Sequence, residues 1–350
     1  MSDSNGLTDT PLLEIKNLVK QFAIPGSKQV VHACSDVTLT IDRGETLGVI
    51  GESGSGKTTL GRCVLRLLEP TEGEVIFEGR NLTSLDRKEM RRLRTDIQIV
   101  FQEPFDSLNP QMTVGRQIGE PLRIHTGLKK QDRKKRVLEL LELVGLPPTT
   151  YDGLTRQLSP GALQRASIAR AMATNPKLIV LDEPTSALAP EAEAEVIRLL
   201  KRIQQETGIA YIFISHDLSL VGEICDSVAI MYLSQVVETG TCDQVFGNAR
   251  HPYSRALLAS VLLPDPSKSR DDSARAERLE GEIPSPIDLP NGCYLASRCH
   301  FVRDRCMENK QELLETSTPG HLARCWRIAE GDLTEEEIVR LRVARQSEKD

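Results

Sequence analysis

The chain alternates between short, continuous apolar runs and longer segments in which apolar residues recur every three or four positions. Residues 46–50 (TLGVI) and 177–181 (KLIVL) are uninterrupted apolar runs, which are typical of strands buried in a parallel sheet. Helical spacing follows the first run, from Lys57 to about Leu68. Between residues 12 and 45, apolar and polar positions alternate on both sides of a Pro-Gly turn. The pattern predicts an α/β fold with a mixed sheet core and an antiparallel β-subdomain.

The same patterning indicates how the chain is divided. Helical patterns at residues 115–145 and from Ser159 to Thr174 predict a helical subdomain at about residues 103–172. A hairpin ending near Gly240 closes the domain that we assign to residues 12–247. Beyond it, HPYSRALLASVL predicts one helix, residues 264–276 form a polar linker, and residues 277–330 carry four cysteines. We therefore assign residues 248–350, with their charged tail from Glu335, to a small C-terminal extension, and we expect residues 1–11 to be disordered.

Composition narrows the class of protein. The 350 residues are 39% hydrophobic and 27% charged with a net charge of −6, which gives no hint of a nucleic-acid surface. No apolar run approaches the roughly 18 residues that a membrane span needs, and the acidic N-terminus does not resemble a secretory signal. Eight cysteines without such a signal predict a reducing, cytosolic environment.

The segment Gly51–Thr59 (GESGSGKTT) fits the phosphate-loop pattern G-x-x-x-x-G-K-[ST] between a strand and a helix. Glycines let successive backbone N–H groups point at phosphate oxygens, and the helix N-terminus adds partial positive charge. A glycine turn before a helix is the simpler alternative, but the flanking strand and helix disfavour it. We therefore predict a nucleotide site in which the ammonium of Lys57 reaches the phosphates and the Thr58 hydroxyl holds Mg²⁺. The predicted phosphate-binding residues of this loop are Gly51, Ser53, Gly54, Ser55, Gly56, Lys57, Thr58 and Thr59.

Polar residues that suit phosphate cleavage follow the predicted strands. Asp182 and Glu183 come directly after an apolar strand, Gln102 ends an earlier strand and His216 ends a later one. The carboxyl ends of parallel strands meet at one sheet edge, so we expect these side chains to converge on one phosphate. Asp182 is then a ligand of Mg²⁺, and Glu183 polarises the attacking water. The alternatives are a solvated acidic pair and a purely structural histidine.

Taken together, these motifs resemble the nucleotide-binding subunits of ABC transporters. The matching elements are GESGSGKT (Walker A), FQEPFDSLNP (Q-loop), LIVLDEPTSAL (Walker B), ISHDL (switch histidine) and a signature-like LSPGALQRASIARA. HPYSRALL and GEIPSPIDLPNGCYLASRC resemble the C-terminal extension of importers of the dipeptide/oligopeptide (peptide/nickel) group. The resemblance implies an ABC-type P-loop ATPase fold, with catalytic roles for Glu183, His216 and Gln102 and with Gln102 near Mg²⁺. Phe22 is a candidate to stack on adenine, although an aromatic residue in a strand can equally belong to the core.

The resemblance also implies a function and partners. It implies ATP hydrolysis that drives import of di- or oligopeptides, or of another solute such as nickel. The implied partners are a second ABC ATPase, two transmembrane permease subunits and an extracytoplasmic solute-binding protein, with no nucleic acid. The implied location is peripheral, on the cytoplasmic face of the inner membrane.

Two motifs depart from the family pattern. The signature is L-S-P-G-A instead of L-S-G-G-Q, and Ala189 replaces the aspartate of the loop that signals across the dimer. Ser159 can still cap the signature helix and Gly161 can still approach the nucleotide, but Pro160 lacks an N–H and Ala162 lacks the carboxamide. Either these departures are tolerated sequence drift without functional effect, or the chain works in an asymmetric heterodimer in which one of the two ATP sites is weak. We favour the heterodimer.

The four cysteines of the extension, Cys293, Cys299, Cys306 and Cys325, are spaced C-x5-C-x6-C-x18-C. Structural zinc normally uses a C-x2–4-C knuckle, which this segment does not contain. Four thiolates on a loop-rich segment can hold a [4Fe–4S] cluster instead, and some members of the resembling group are thought to carry one. Unliganded thiols and zinc stay open as alternatives.

Two rival functions come from other classes. A soluble ABC ATPase of DNA repair or translation predicts a coiled-coil insertion or a second cassette, and the sequence shows neither. A scaffold subunit that binds ATP without turnover would explain the altered signature, but the presence of Glu183 and His216 disfavours it.

Overall fold

The computed structural model describes residues 10–261, 279–334 and Ile338. Most of the predicted disordered N-terminus (residues 1–9), the predicted linker at 264–276 and the charged tail from Glu335, except Ile338, lie outside the described residues.

Short strands and helices alternate along most of the chain. The strands are β1 Leu13–Ala23, β2 Val30–Ile41, β3 Thr46–Ile50, β4 Glu72–Phe77, β5 Arg80–Asn81, β6 Ile97–Val100, β7 Leu178–Asp182, β8 Ala210–Ile214, β9 Ser227–Tyr232, β10 Gln235–Thr241, β11 Leu314–Glu315 and β12 Leu322–Ala323. The helices are α1 Lys57–Val64, α2 Arg87–Leu93, α3 Pro104–Ser107, α4 Val114–His125, α5 Lys130–Leu143, α6 Pro160–Ala171, α7 Pro190–Thr207, α8 Leu218–Ile224, α9 Cys242–Asn248, α10 Pro252–Val261, α11 Asp304–Glu308 and α12 Trp326–Ala329. Single 3₁₀ turns lie at Leu82–Ser84, Pro148–Asp152, Thr155–Gln157 and Met172–Thr174.

The chain forms two compact units, each built from segments that are not consecutive in the sequence. Of the described residues, the first unit contains those up to Leu18, Thr38–Thr46 and Gly61–Phe213, and the second contains Val19–Val37, Leu47–Leu60 and those from Ile214 onward. The boundary predicted between residues 247 and 248 therefore falls inside the second unit.

In the first unit, β6 and β7 pair in parallel, and the N–H of Ala210 at the start of β8 donates to the carbonyl of Lys177. Every residue of β7 and β8 is buried, which explains their continuous apolar sequences. β4 pairs antiparallel with β5, and α4 packs against α5 and α6 within residues 103–172, where a helical subdomain was predicted. Glu78 forms ion pairs with Arg43 (2.7 Å) and Lys177 (2.6 Å) on the surface of this unit.

In the second unit, β3 pairs in parallel with β9, and β9 pairs antiparallel with β10 as the predicted closing hairpin. The extension adds two short strands to this sheet: β12 pairs with β10, and β11 pairs with β12. β10 would otherwise present an open edge, which native proteins commonly cover. The extension thus continues the sheet that carries the glycine loop.

Within the described part of the chain, no helix is both long and apolar enough to cross a bilayer.

Candidate functional site

The glycine loop between β3 and α1 has a backbone that only glycine can adopt at two positions. Gly51 and Gly56 have φ values of +152° and +105°, in the region that L-residues avoid. A Cβ on Gly51 would lie 2.1 Å from the carbonyl oxygen of Met231, and one on Gly56 would lie 2.0 Å from that of Ala33. The loop therefore curls against the neighbouring backbone, directly before the N-terminus of α1 at Lys57.

The side chains of this loop fit a bound polyphosphate. Lys57 is buried, and its ammonium donates to the carbonyls of Gly51 (2.8 Å) and Glu52 (3.0 Å), so its charge lies within the curl of the loop. The Ser55 hydroxyl is buried and finds no hydrogen-bond partner among the described residues. A buried polar atom of this kind calls for an explanation, and phosphate oxygens bound in the curl would provide one. Ser53 and Gly54 are exposed, while Thr58 and Thr59 are half-buried.

Two further predicted residues lie in the same unit as the loop. The N–H of Ser215 donates to the carbonyl of Val49 (3.2 Å), which places the start of the segment Ser215-His216 beside the strand that enters the loop. His216 itself is exposed. Phe22 is 37% exposed at the end of β1, with the Lys20 ammonium 4.9 Å from its ring centroid, so it is not a core residue.

The acidic pair lies in the first unit. Asp182 ends β7 and is only 1% exposed, and Glu183 follows with φ +46°. A non-glycine residue in this conformation costs on the order of 1–3 kcal/mol, and such strain clusters at functional sites. The Gln102 amide, which follows β6, donates to the Glu183 carboxylate at 3.1 Å. β6 and β7 pair in parallel with Val100 opposite Leu181, so the two strand ends bring these side chains together.

The signature helix forms despite its altered sequence. Ser159 is the N-cap of α6 and accepts a hydrogen bond from the Ala162 N–H (3.3 Å), with Pro160 at the first helical position. A Cβ on Gly161 would lie 3.2 Å from the Cβ of Ala192 on α7, so this glycine permits close helix packing. Ala189 is the N-cap of α7, and no side-chain hydrogen bond caps that helix within the described chain. An aspartate at 189 would be able to supply one.

The four cysteines of the extension line one enclosed cavity of about 20 Å³, which has room for about one water molecule. Burial raises the pKa of the Cys293 and Cys299 thiols to about 12 and also raises that of Cys325. The indole N–H of Trp326 lies 3.3 Å from the sulfur of Cys306. Among the described residues, no group of three or more His, Cys, Asp or Glu side chains is placed to hold a metal ion. The four cysteines thus line one cavity without being arranged as metal ligands, and the predicted iron–sulfur cluster stays a prediction.

The fold and the glycine loop define a P-loop nucleotide-binding protein of the ABC cassette class. Residues 34–186 match the model of the ABC transporter family, and residues 237–306 match that of the oligopeptide/dipeptide transporter C-terminal region. The structure resembles the dimeric post-hydrolysis state of the ATP-binding cassette MJ0796 bound to ADP and Pi, with a TM-score of 0.61 and 30% identity, over 66% of this chain and 98% of that one. The predicted α/β ABC fold is confirmed.

Two relatives match this chain over most of their own length and of its length. The oligopeptide transport ATP-binding protein OppF of Salmonella typhimurium is 43% identical over 310 residues, 86% of this chain and 92% of the relative. The putative peptide import ATP-binding protein BOV_A0347 of Brucella ovis is 42% identical over 323 residues, 92% of this chain and 99% of the relative. The chain belongs to the ATP-binding subunits of ABC transporters with an oligopeptide/dipeptide-type C-terminal region, and its class of enzyme is the ABC ATPase.

Sequence reasoning missed several contacts of the glycine loop. Glu52, Tyr253 and Arg298 approach one another at the loop, as described below. In the sequence, HPY stands out only as part of the tail that resembles the family, and no spacing signal connects a residue near 50 with residues near 250 and 300.

Proposed function

We propose that this chain binds Mg²⁺·ATP at the glycine loop and hydrolyses it to energise import of di- or oligopeptides. The observation that carries the proposal is the loop itself, in which Gly51 and Gly56 admit no side chain and the Lys57 ammonium is held inside the curl. The names of the relatives, which refer to peptide and oligopeptide transport, support the choice of solute. Another solute of the same group, such as nickel, is the alternative.

In this mechanism Lys57 and the loop amides bind the phosphates, while Thr58, Asp182 and Gln102 would hold the metal ion. Mg²⁺, when bound, would neutralise charge on the phosphates. Glu183 accepts a proton from the attacking water, and the amide of Gln102 holds its carboxylate in position at 3.1 Å. His216 orients the γ-phosphate or the water, Phe22 stacks on adenine, and Ser159 and Gly161 contact the nucleotide held by the opposing subunit of a dimer.

The partners follow from the family. We propose a second ABC ATPase, two transmembrane permease subunits and an extracytoplasmic solute-binding protein, with this chain on the cytoplasmic face of the membrane. A helix that could span the bilayer would then come from the permeases. Copurification of the native membrane complex, followed by identification of every subunit, tests this composition.

Two substitutions test the ATPase proposal in that complex. Lys57→Ala should abolish ATP binding and uptake, because the ammonium in the loop is lost. Glu183→Gln should retain ATP binding and reduce hydrolysis and uptake by roughly 10²–10⁴-fold, the usual contribution of a general base. Unchanged uptake with Glu183→Gln would favour the non-hydrolytic scaffold, and unchanged affinity with Lys57→Ala would refute the nucleotide site.

The altered signature supports a finer proposal, an asymmetric heterodimer. The signature helix is intact, but Pro160 cannot donate an N–H and Ala162 offers no carboxamide, so this subunit would leave its partner's nucleotide poorly contacted. Loss of one such donor commonly costs about 3 kcal/mol of transition-state stabilisation. The purified chain alone should therefore hydrolyse ATP slowly, and Pro160→Gly with Ala162→Gln should accelerate it. Rapid hydrolysis that these changes leave unaltered would contradict the proposal.

The four cysteines support a second finer proposal, a structural [4Fe–4S] cluster in the extension. The support is that four thiols line one cavity, although they are not arranged as ligands and the cavity would have to expand. Iron and sulfide should copurify with the anaerobically prepared chain and disappear when the four cysteines are replaced by serine. Zinc in place of iron, or no metal at all, would reject the cluster.

A further inference from the structure

The extension and the hairpin before it reach the glycine loop at Glu52. The backbone N–H of Glu52 donates to the hydroxyl of Tyr253, at the start of α10, over 3.2 Å. Tyr253 is 1% exposed, and its ring packs 4.6 Å, centroid to centroid, from that of Tyr232 on β9. A buried side chain from outside the phosphate-loop motif therefore fixes the second residue of that loop.

A guanidinium from the cysteine-containing segment faces the side chain of the same residue. Nη1 of Arg298 lies 3.9 Å from Oε2 of Glu52, and the Arg298 side chain is only 10% exposed. Tyr232 also contacts the guanidinium, because Nη1 donates to the Tyr232 hydroxyl over 3.4 Å and the guanidinium carbon lies 5.8 Å from the Tyr232 ring centroid. Oε2 of Glu52 and Nε of Arg298 are buried and make no hydrogen bond within the described chain. The Glu52 carboxylate and the Arg298 guanidinium thus face each other at 3.9 Å, and each has one buried atom without a hydrogen bond in the described chain.

The position of Glu52 makes its charge matter for phosphate binding. Its carbonyl accepts a hydrogen bond from the Lys57 ammonium at 3.0 Å, so residue 52 adjoins the charge that is expected to bind the phosphates. A carboxylate here repels a triphosphate unless a cation offsets it. Unit charges about 4 Å apart at a partly buried site are screened less than in bulk water, so Arg298 can offset much of that repulsion.

We propose that Arg298 is a positioning residue of the nucleotide site, which neutralises Glu52 and, together with Tyr253, holds the first turn of the glycine loop. The inference rests on the proposed function, since it requires that the loop binds a nucleotide. It gives the extension a direct role in ATP binding: the segment that carries the cysteines also carries the cation that balances the loop.

The test measures equilibrium affinity of the full-length chain for ADP and for a slowly hydrolysed ATP analogue, adenylyl imidodiphosphate. Arg298→Gln should weaken binding of the ATP analogue by about tenfold, and binding of ADP by less because ADP carries less charge. Arg298→Lys should restore most of the affinity. In the intact transporter, Arg298→Gln should raise KM for ATP and leave kcat within about twofold.

The double variant Arg298→Gln/Glu52→Gln separates a charge effect from a structural one. If Arg298 acts by neutralising Glu52, removal of both charges should return affinity to within about threefold of wild type. Arg305→Gln is the matched control, since it removes an arginine of the same segment whose guanidinium pairs with Glu330 at 2.8 Å, and it should change neither affinity.

Two outcomes would overturn the inference: unchanged affinity in Arg298→Gln, or a double variant as weak as the single one. If Arg298→Gln fails to fold, Tyr253→Phe takes its place, because loss of the hydroxyl that accepts from Glu52 should still weaken nucleotide binding severalfold, and normal affinity there would refute the positioning role. If wild type itself does not bind either nucleotide, the proposed function fails instead.

Discussion

Glu238 on β10 ties the extension to the sheet, and its removal is the perturbation that we develop first. The carboxylate is completely buried and accepts three hydrogen bonds: from the N–H groups of Arg250 (2.7 Å) and His251 (2.8 Å) and from Nε2 of His321 (2.7 Å). Arg250 and His251 lead into α10, while His321 directly precedes β12. One side chain therefore anchors both the entry to α10 and the strand with which the extension joins the sheet.

The contacts set the size of the expected effect. Glu238→Ala leaves two buried donors and one part-buried donor without their acceptor, and each buried donor costs about 1–3 kcal/mol. Part of this loss is offset because the carboxylate no longer has to be desolvated on folding. Measured losses on removal of one partner of a buried charged pair are typically about 3–5 kcal/mol. We expect a loss of about 4 kcal/mol in the free energy of unfolding of the second unit. Glu238→Gln, which keeps one acceptor oxygen, should lose about half as much.

The assay uses urea denaturation with two probes. The single tryptophan of the chain, Trp326, lies in α12 beside Cys306, so its fluorescence reports on the extension, whereas far-UV circular dichroism reports on all helices. Glu238→Ala should lower the urea midpoint of the fluorescence transition more than that of the dichroism transition. The control is Glu308→Ala, which removes an exposed carboxylate of the extension and should change stability by less than about 0.5 kcal/mol. A loss below about 1 kcal/mol in Glu238→Ala, or equal shifts in both probes, would refute the reasoning.

Three further predictions concern the glycine loop and the first unit. Gly56→Ala should abolish ATP binding, because its Cβ would lie 2.0 Å from a backbone oxygen. Gly54→Ala, whose Cβ would have no atom within 4 Å, should cost only about 1 kcal/mol for the positive φ. Equal nucleotide affinities of the two variants would contradict this prediction. Burial alone would raise the pKa of Glu78, but hydrogen bonds and charge from its two cationic partners, Lys177 first, lower it. Ionised Glu78 should therefore stabilise the fold above its unfolded pKa, about 4.5, by at most about 1 kcal/mol. The difference in unfolding free energy between wild type and Glu78→Gln should shrink as pH falls below that value. A pH-independent difference would argue against this role of Glu78. Glu183→Gly should relieve the strain at φ +46° and raise thermal stability while removing ATPase activity, and a lower melting temperature would contradict the strain argument.

Local rules explain why so much could be predicted. The turn geometry of Gly51 and Gly56, the cap at Ser159 and the buried strand before Asp182 each depend on a few consecutive residues, and all are visible as patterns. Because the carboxyl ends of parallel strands meet at one sheet edge, the sequence also predicted that Gln102 and Glu183 lie close together, and a hydrogen bond of 3.1 Å joins their side chains. Their catalytic roles stay predictions until they are measured.

The amino-acid sequence by itself determined the class of fold, the glycine loop and the family, because these are written in short motifs with fixed spacing. Only the tertiary structure showed that β12 joins β10, that four cysteines line one cavity, and that Tyr253 and Arg298 meet Glu52. These contacts join residues separated by tens to hundreds of positions. They follow from how the strands are ordered and how the extension packs, which no local pattern of polar and apolar residues encodes.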